Sequence, residues 1–224
     1  MDLTKKGYVW KRLRYCPPEP TSPQFHQAKQ ADWHLLQVWA TTGAIVLKYL
    51  DESGFEQCSP LNYSYARRGV QKRIPHAKRR GRRISAVGRW EPQYSFEYGL
   101  VVGGFNSERY VALMDWQAER AAQRFATTGQ LTVMIQDGAS SHRSKLAQRH
   151  WQRWQDQGLL IFFPPPYSPQ MNRIEDEWLH LKRESFASRL FEDEYELALA
   201  LIEAIEQRGH KGNYAVERFK FTHV

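Results

Sequence analysis

Two aspartates sit where a strand-like run gives out. Residues 44–55 read AIVLKYLDESGF and residues 131–142 read LTVMIQDGASSH; each is an apolar run ending in an aspartate, Asp51 or Asp137, with glycine and serine close behind. Strand alternation places Ile45, Leu47, Tyr49 and Asp51 on one face, and Val133, Ile135 and Asp137 on one face of the other. Aspartate is a poor strand residue and costly to bury unpaired. A third acidic group, Glu175, Asp176 and Glu177, opens an amphipathic helix further on. Carboxylates at the ends of two strands, with a third on a helix, suit two Mg²⁺ ions about 3.5–4 Å apart. Mg²⁺ takes oxygen ligands and is usually held by a few carboxylates together with substrate phosphates.

The third acidic group follows IFFPPPYSPQMNR, in which an apolar run stops at Pro164, Pro165 and Pro166. Proline fixes φ and has no N–H, so 164–169 neither continues a strand nor begins a helix. It is a stiff connection that aims the helix. Helical spacing gives that helix an inner stripe of Ile174, Trp178, Leu181 and Ser185. Glu175 and Glu177 flank the stripe on opposite sides, and Asp176 points away. All three acids also favour the positive end of a helix dipole, so geometry alone leaves their roles open. Glu52 neighbours Asp51 but faces the other side of its strand.

YLDESGF, then QDGASSH, then FFPPPYSPQMNRIEDEWLHLK resembles the IS630/Tc1/mariner superfamily of transposases, most closely its bacterial IS630 branch. The likeness runs from about Tyr8 (GYVWKRLR) to about Ser185 and includes FNSERYVALMDW at 105–116. The Pro-Pro-Tyr-Ser-Pro…Asn-x-Ile-Glu-x-x-Trp block is specific, whereas an aspartate at a strand end would be weak by itself. The resemblance implies an RNase H-like fold and a metal-binding acid triad, which by motif position falls on Asp51, Asp137 and Glu175. Two positions depart from the family pattern: Gly138 stands where asparagine is usual, and Arg173 where proline is usual. His142 matches a histidine common in the family, although a lone histidine is more often a surface or packing residue. Lys182, two turns beyond Glu175 on the same flank, could touch DNA phosphate or screen the carboxylates. Tyr167 and Ser168 shape the turn.

The net charge of +8 is unevenly spread. From Gln57 to Trp90 there is no acidic residue, yet Arg67, Arg68, Lys72, Arg73, Lys78, Arg79, Arg80, Arg82, Arg83 and Arg89 all fall there. Such a run is often only a solvated face. Here it is interleaved with Tyr63, Tyr65, Val70 and Ile74, and phosphate backbone is its natural partner. A second basic group, Lys5, Lys6, Lys11, Arg12 and Arg14, surrounds Tyr8 and Trp10. The residues expected to contact DNA are therefore Lys11, Arg12, Arg14 and 67–83. Cys16 and Cys58 have neither metal-type spacing nor a disulfide framework and read as free thiols. No run approaches a membrane span and no signal-peptide core is present, which points to a soluble, cytoplasmic protein; that it is bacterial and nucleoid-associated is what the IS630 resemblance implies.

Along the chain, the expected order begins with a basic arm and Pro-rich linker over 1–32. A catalytic domain over 33–208 carries the basic insertion at about 57–82, and a poorly patterned tail occupies 209–224. Helical spacing covers 24–42, then strands 44–52, 83–90 and 98–105, with a short strand conceivable at 70–74. A helix over 108–127, capped at Asn106-Ser107, carries Val111, Met114, Ala118, Ala121 and Phe125 inward. Strand 131–137 delivers Asp137. A polar helix over 144–157 stops at Gly158, and strand 159–163 follows. A last helix, 192–207, should turn Tyr195, Ala198, Leu199, Ile202 and Ile205 inward. Periodicity by itself gives a mixed α/β sheet flanked by helices; its RNase H-like identity comes from the resemblance.

The resemblance implies Mg²⁺-dependent DNA cleavage and strand transfer by an insertion-sequence transposase, with Mn²⁺ able to replace Mg²⁺. One ion, held by Asp51 and Asp137, would activate water and later a 3′-hydroxyl. The other, held by Asp51 and Glu175, would stabilise the leaving oxygen. Its partners would be transposon ends and a target, with TA the family's usual insertion dinucleotide, and a homodimer on DNA. The chain opens at the basic arm without room for paired helix-turn-helix units before Asp51, so a separate helix-turn-helix product, or a truncated copy, is expected. The rival readings are an inactive or truncated relic that only binds DNA, an RNase H-fold nuclease acting on hybrids or junctions, and a two-carboxylate glycosidase, which the basic charge disfavours.

Overall fold

A computed structural model of the chain describes residues 22–57, 83–166, 168–187 and 189–221. Lys11, Arg12, Arg14, Cys16, Cys58, Tyr167, the conceivable strand at 70–74, and all of the expected DNA-contacting run except Arg83 lie outside the described residues. The six strands are β1 (Ile45–Phe55), β2 (Ile84–Glu91), β3 (Ser95–Val102), β4 (Leu131–Gln136), β5 (Leu159–Phe162) and β6 (Ala215–Phe219). They form one sheet in the order β5-β4-β1-β2-β3-β6. β1 is antiparallel to β2, from Tyr49 opposite Trp90 to Phe55 opposite Ile84. On its other side it is parallel to β4, from Ile45 beside Leu131 to Leu50 beside Gln136. β1 is thus a central strand, and its near-continuous burial explains why it reads as an apolar run.

The helices are α1 (Pro23–Thr41), α2 (Ser107–Thr128), α3 (Lys145–Gln148), α4 (Trp151–Asp156), α5 (Ile174–Leu181) and α6 (Glu194–Gly212). Ile45, Leu47, Tyr49, Val133 and Ile135 face a core built with α5 and α6, onto which Trp33, Leu36 and Ala40 of α1 also pack. Leu50, Val87 and Met134 face the other way, into a core with α2, α3 and α4. Ser22 caps α1, its side chain accepting from the Phe25 N–H, with Pro23 in the first turn. Asn106 caps α2 as the sequence suggests, and Gly129, at φ 73°, ends it.

Several expectations are corrected. Phe125 is half exposed, not inward. The helix expected over 144–157 is two short ones, because the Arg149 and His150 N–H groups bond three residues back, to Leu146 and Ala147, and tighten the turn. In α6 the buried residues are Leu197, Ala200, Leu201, Ala204, Ile205 and Gly209. Tyr195 and Leu199 are exposed. The run from Leu197 to Ile202 is apolar on every side, so spacing could not fix which face turns in. The stretch 209–221 finishes α6 and supplies β6, which pairs parallel with β3. β6 buries little of itself, which is why no apolar pattern marks it.

α5 bears directly on the site. Ile174, Trp178 and Leu181 are buried as expected, but Phe186, not Ser185, continues the stripe. A π turn at Lys182–Phe186 slips the register by one position. Trp178 lies edge-on to Phe55 and Phe96, with centroids 6.2 and 5.4 Å away. It reaches β2 at Gly88, where a Cβ would come within 2.5 Å of the indole. Gly88→Ala is therefore expected to overpack this contact. It should cost about 1–3 kcal/mol, read by urea unfolding, and should displace the helix that carries Glu175.

Candidate active site

The β1–β4 register ends with Leu50 beside Gln136, so Asp51, which lies inside β1 and not at the strand end expected from the sequence, and Asp137, just past the end of β4, follow side by side. α5 packs on the same face of the sheet and brings Glu175 in its first turn. Burial raises the Asp51 carboxyl to a pKa of about 7, and the negative charges of Asp137 and Glu175 push the same way. Glu175 is raised for like reasons, burial first, then Asp137 and Asp176. Asp137 goes the other way: a hydrogen bond from His142 holds it below the ordinary carboxylate range.

His142 is buried, not on the surface. Its Nδ1 lies 2.8 Å from Asp137 Oδ1 and 3.1 Å from the Asp137 carbonyl oxygen. Its ring stacks on Tyr110, with centroids 4.6 Å apart. The Ala139 N–H donates to Asp137 Oδ1 at 3.2 Å, closing a turn after β4. Tyr110, whose hydroxyl accepts from Gln136 Nε2 at 2.6 Å, completes a support that sequence reasoning missed.

The neighbouring acids separate cleanly. Glu177 is buried against α6, where Arg208 pairs with it through two nitrogens and the Tyr214 hydroxyl lies 3.4 Å away. Asp176 is exposed. Glu52 takes the Arg83 guanidinium at 2.8 Å, so the one described member of the expected DNA-contacting run is already paired on the surface. Lys182 Nζ lies 5.4 Å from the Phe55 ring centroid. Burial lowers its pKa while Asp51 pulls it back up. Both departures from the family pattern are accommodated: a side chain at Gly138 would meet the end of Arg143, and Arg173 stacks over Trp90 at 5.5 Å.

Another missed residue is Asn172, 3% exposed, whose Nδ2 donates to the Leu50 carbonyl at 3.1 Å. The sequence marked it as the Asn of the Asn-x-Ile-Glu-x-x-Trp block, but not its bond to Leu50. Among the described residues, no three His, Cys, Asp or Glu side chains are gathered closely enough to hold a metal ion. The donor set nonetheless suits a hard cation. Asp51, Asp137 and Glu175 offer only oxygen; Asp51 and Asp137 follow the last β1–β4 pair, and the charges of Asp137 and Glu175 add to the rise that burial gives Asp51.

Residues 46–198 match the family model described as DDE superfamily endonuclease. The chain belongs to that superfamily. Its fold is the RNase H-like fold of mariner transposase catalytic domains. The Mos1 mariner paired-end complex with Mn superposes at a TM-score of 0.61 with 16% identity, over 94% of this chain and 67% of that one. The Mos1 strand transfer complex gives 0.60, also at 16% identity, over 94% and 66%. The isolated Mos1 catalytic domain gives 0.55 at 14% identity, over 89% of this chain and 95% of that one. The chain thus spans about two thirds of the longer Mos1 chains. No curated protein matches it in sequence. The resemblance stated from the motifs therefore holds for the DDE superfamily in sequence and for mariner transposase catalytic domains in fold, and no described helix is long and apolar enough to cross a membrane.

The raised Asp51 pKa has a consequence for stability. The folded chain keeps the Asp51 proton up to about pH 7, whereas the unfolded chain releases it near 3.8. The metal-free fold therefore weakens as pH rises through that window and stays weakened above it. Asp51→Asn should raise the metal-free unfolding midpoint at pH 8 by several degrees, since about 1 kcal/mol moves it roughly 2–4 °C in a chain of this size. At pH 4 the two midpoints should nearly coincide. A calorimetric series across pH reads the difference directly.

Proposed function

We propose that this domain cuts and joins DNA strands as the catalytic part of a transposase, with Asp51, Asp137 and Glu175 as ligands for two Mg²⁺ ions that Mn²⁺ can replace. The carrying observation is the half-buried Asp51, its pKa raised to about 7 with Asp137 and Glu175 adding to the rise, inside the segment that matches a DDE endonuclease. Divalent cations bound there would favour deprotonation of an attacking water or 3′-hydroxyl and neutralise the leaving oxygen of an in-line displacement at phosphorus.

The chain's own residues supply orientation. His142 and the Ala139 N–H fix one oxygen of Asp137. Lys182, whose charged form Asp51 favours, would offer a cation to a DNA phosphate that approaches the acids. Arg67, Arg68, Lys72, Arg73, Lys78, Arg79, Arg80, Arg82 and Arg83, with Lys11, Arg12 and Arg14, are read as further phosphate contacts. Mos1 has been captured with a transposon end, in strand transfer, and with Mg and with Mn. Transposon ends and a target, taken as TA, are the substrates proposed here, and two copies on paired ends the working assembly. Residues 33–208 are read as the catalytic unit.

Cleavage of end-bearing DNA with Mg²⁺ or Mn²⁺ tests the reading. Alanine at Asp51, Asp137 or Glu175 should abolish cleavage while retention on DNA persists. Glu177→Ala should leave the rate within a few-fold and lower the unfolding midpoint, because it strands Arg208. Cleavage surviving Glu175→Ala but not Glu177→Ala would overturn the assignment. Neutralising several of Arg67, Arg68, Arg79, Arg80, Arg82 and Arg83 should flatten the slope of log affinity against log salt. The change should be about 0.9 for each duplex phosphate that the protein ceases to neutralise; an unchanged slope would remove the run from the interface.

A further inference from the structure

Asn172 has every backbone and side-chain group but one committed. Its N–H donates to the Pro169 carbonyl at 2.9 Å, and its carbonyl accepts from the Glu175 N–H at 3.1 Å. Its side-chain Nδ2 donates to the Leu50 carbonyl at 3.1 Å. Leu50 is the residue before Asp51 and occupies the last rung that β1 shares with β4. One buried side chain thus joins the peptide entering Asp51 to the peptide of Glu175, through two hydrogen bonds and a single residue. The remaining Oδ1 is buried and has no protein partner, so the amide is held by its donor side alone.

We infer that Asn172 is the positioning residue that sets the separation between Asp51 and Glu175, so that both carboxylates can serve one cation. The inference rests on the ligand reading proposed above. α5 begins at Ile174 with no side-chain cap, and its lead-in is a 3₁₀ turn at Pro169–Met171 after a run of prolines. The lower part of the helix is anchored by Trp178 in the core. Its first turn, which carries Glu175, is tied to β1 by the Asn172 amide. Leucine fills the same volume but offers no donor to the Leu50 carbonyl, so that carbonyl loses a buried partner and the first turn its tie. A partner one bond removed from a metal ligand ordinarily governs affinity by holding that ligand in place.

The test uses the full chain in two measurements. Metal-free crystal structures of wild type and Asn172→Leu give the separation of the Asp51 and Glu175 Cα atoms. Mn²⁺ titration followed by electron paramagnetic resonance gives affinity without reference to cleavage. Leu201→Ala, a cavity in α6 away from the acids, serves as the control for lost stability. Asn172→Leu should move the two Cα atoms apart by about 1 Å, beyond the roughly 0.5 Å within which a working site must be held. It should also weaken Mn²⁺ binding by about 10–100-fold, while Leu201→Ala changes neither. Asn172→Ser, which keeps a donor on a shorter arm, should fall between wild type and leucine, and it decides the matter if the leucine variant does not fold. An unmoved separation with affinity within about twofold of wild type would overturn the inference. Should wild type itself take up no Mn²⁺, the ligand reading falls, and the Cα displacement alone decides whether Asn172 positions the two acids.

Discussion

Carboxyl groups gathered where the β1–β4 ladder ends are the constraint to which the rest of the molecule answers. Parallel pairing makes Asp51 and Asp137 neighbours, and no lysine or arginine closes on Asp51 as a direct salt-bridge partner among the described residues. α5 shows the contrast within one turn. Glu177 is neutralised by Arg208 and faces α6, whereas Glu175, two positions earlier, faces Asp51 and Asp137 with its proton held more tightly than usual. Two acids on one helix have opposite fates because a 3.6-residue period sends them to opposite flanks of the Trp178 stripe. A fold that keeps such groups together must be stiff elsewhere, and the Trp178–Gly88 contact and the Asn172 tie supply that stiffness.

The other end of β1 shows charges arranged for structure. Lys48, Arg89 and Arg124 converge on Glu91, and Arg89, Arg120 and Gln117 on Glu97. Burial and the nearby arginines drive Lys48 down to a pKa of about 6, so the cost there falls on cations, while each acid has more than one partner. Acids with partners hold the sheet to α2. Asp51, a few residues along the same strand, has no such cation bridged to it among the described residues and is left for something the protein must bring in.

Much of this was legible in the sequence itself. The runs ending at Asp51 and Asp137 mark strands because burial on both faces demands apolar sequence, and the proline block stops β5 before Glu175, although Pro169 opens a 3₁₀ turn that the sequence reading excluded. Placing Glu175 and Glu177 on opposite flanks needed only helical geometry. What escaped detection lay where pattern carries no information. β6 is an exposed strand with no apolar alternation, and α6 is apolar all round near Leu199. The π turn after Leu181 shifts burial to Phe186 through backbone hydrogen bonding that composition does not encode. Asn172 and Tyr110 act through contacts with residues far away in the chain, Leu50 and His142, which no local window can pair.

The three acids differ in how firmly the backbone holds them. Asp51 is inside a strand: β1 runs on to Phe55, and the ladder to β2 continues on both sides of the Asp51–Gly88 pair. Asp137 stands just past the end of β4, in a turn closed by its own side chain, and Glu175 lies in the first turn of a helix. The site therefore has one fixed post and two arms. Mg²⁺ bonds to oxygen at about 2.0–2.1 Å and Ca²⁺ at about 2.3–2.6 Å with more ligands, and a change in ionic radius would be absorbed by the arms while the post stayed put. Discrimination between ions of different size would then lie in how far the turn after β4 and the head of α5 can travel, and a structure with each ion would show β1 unmoved.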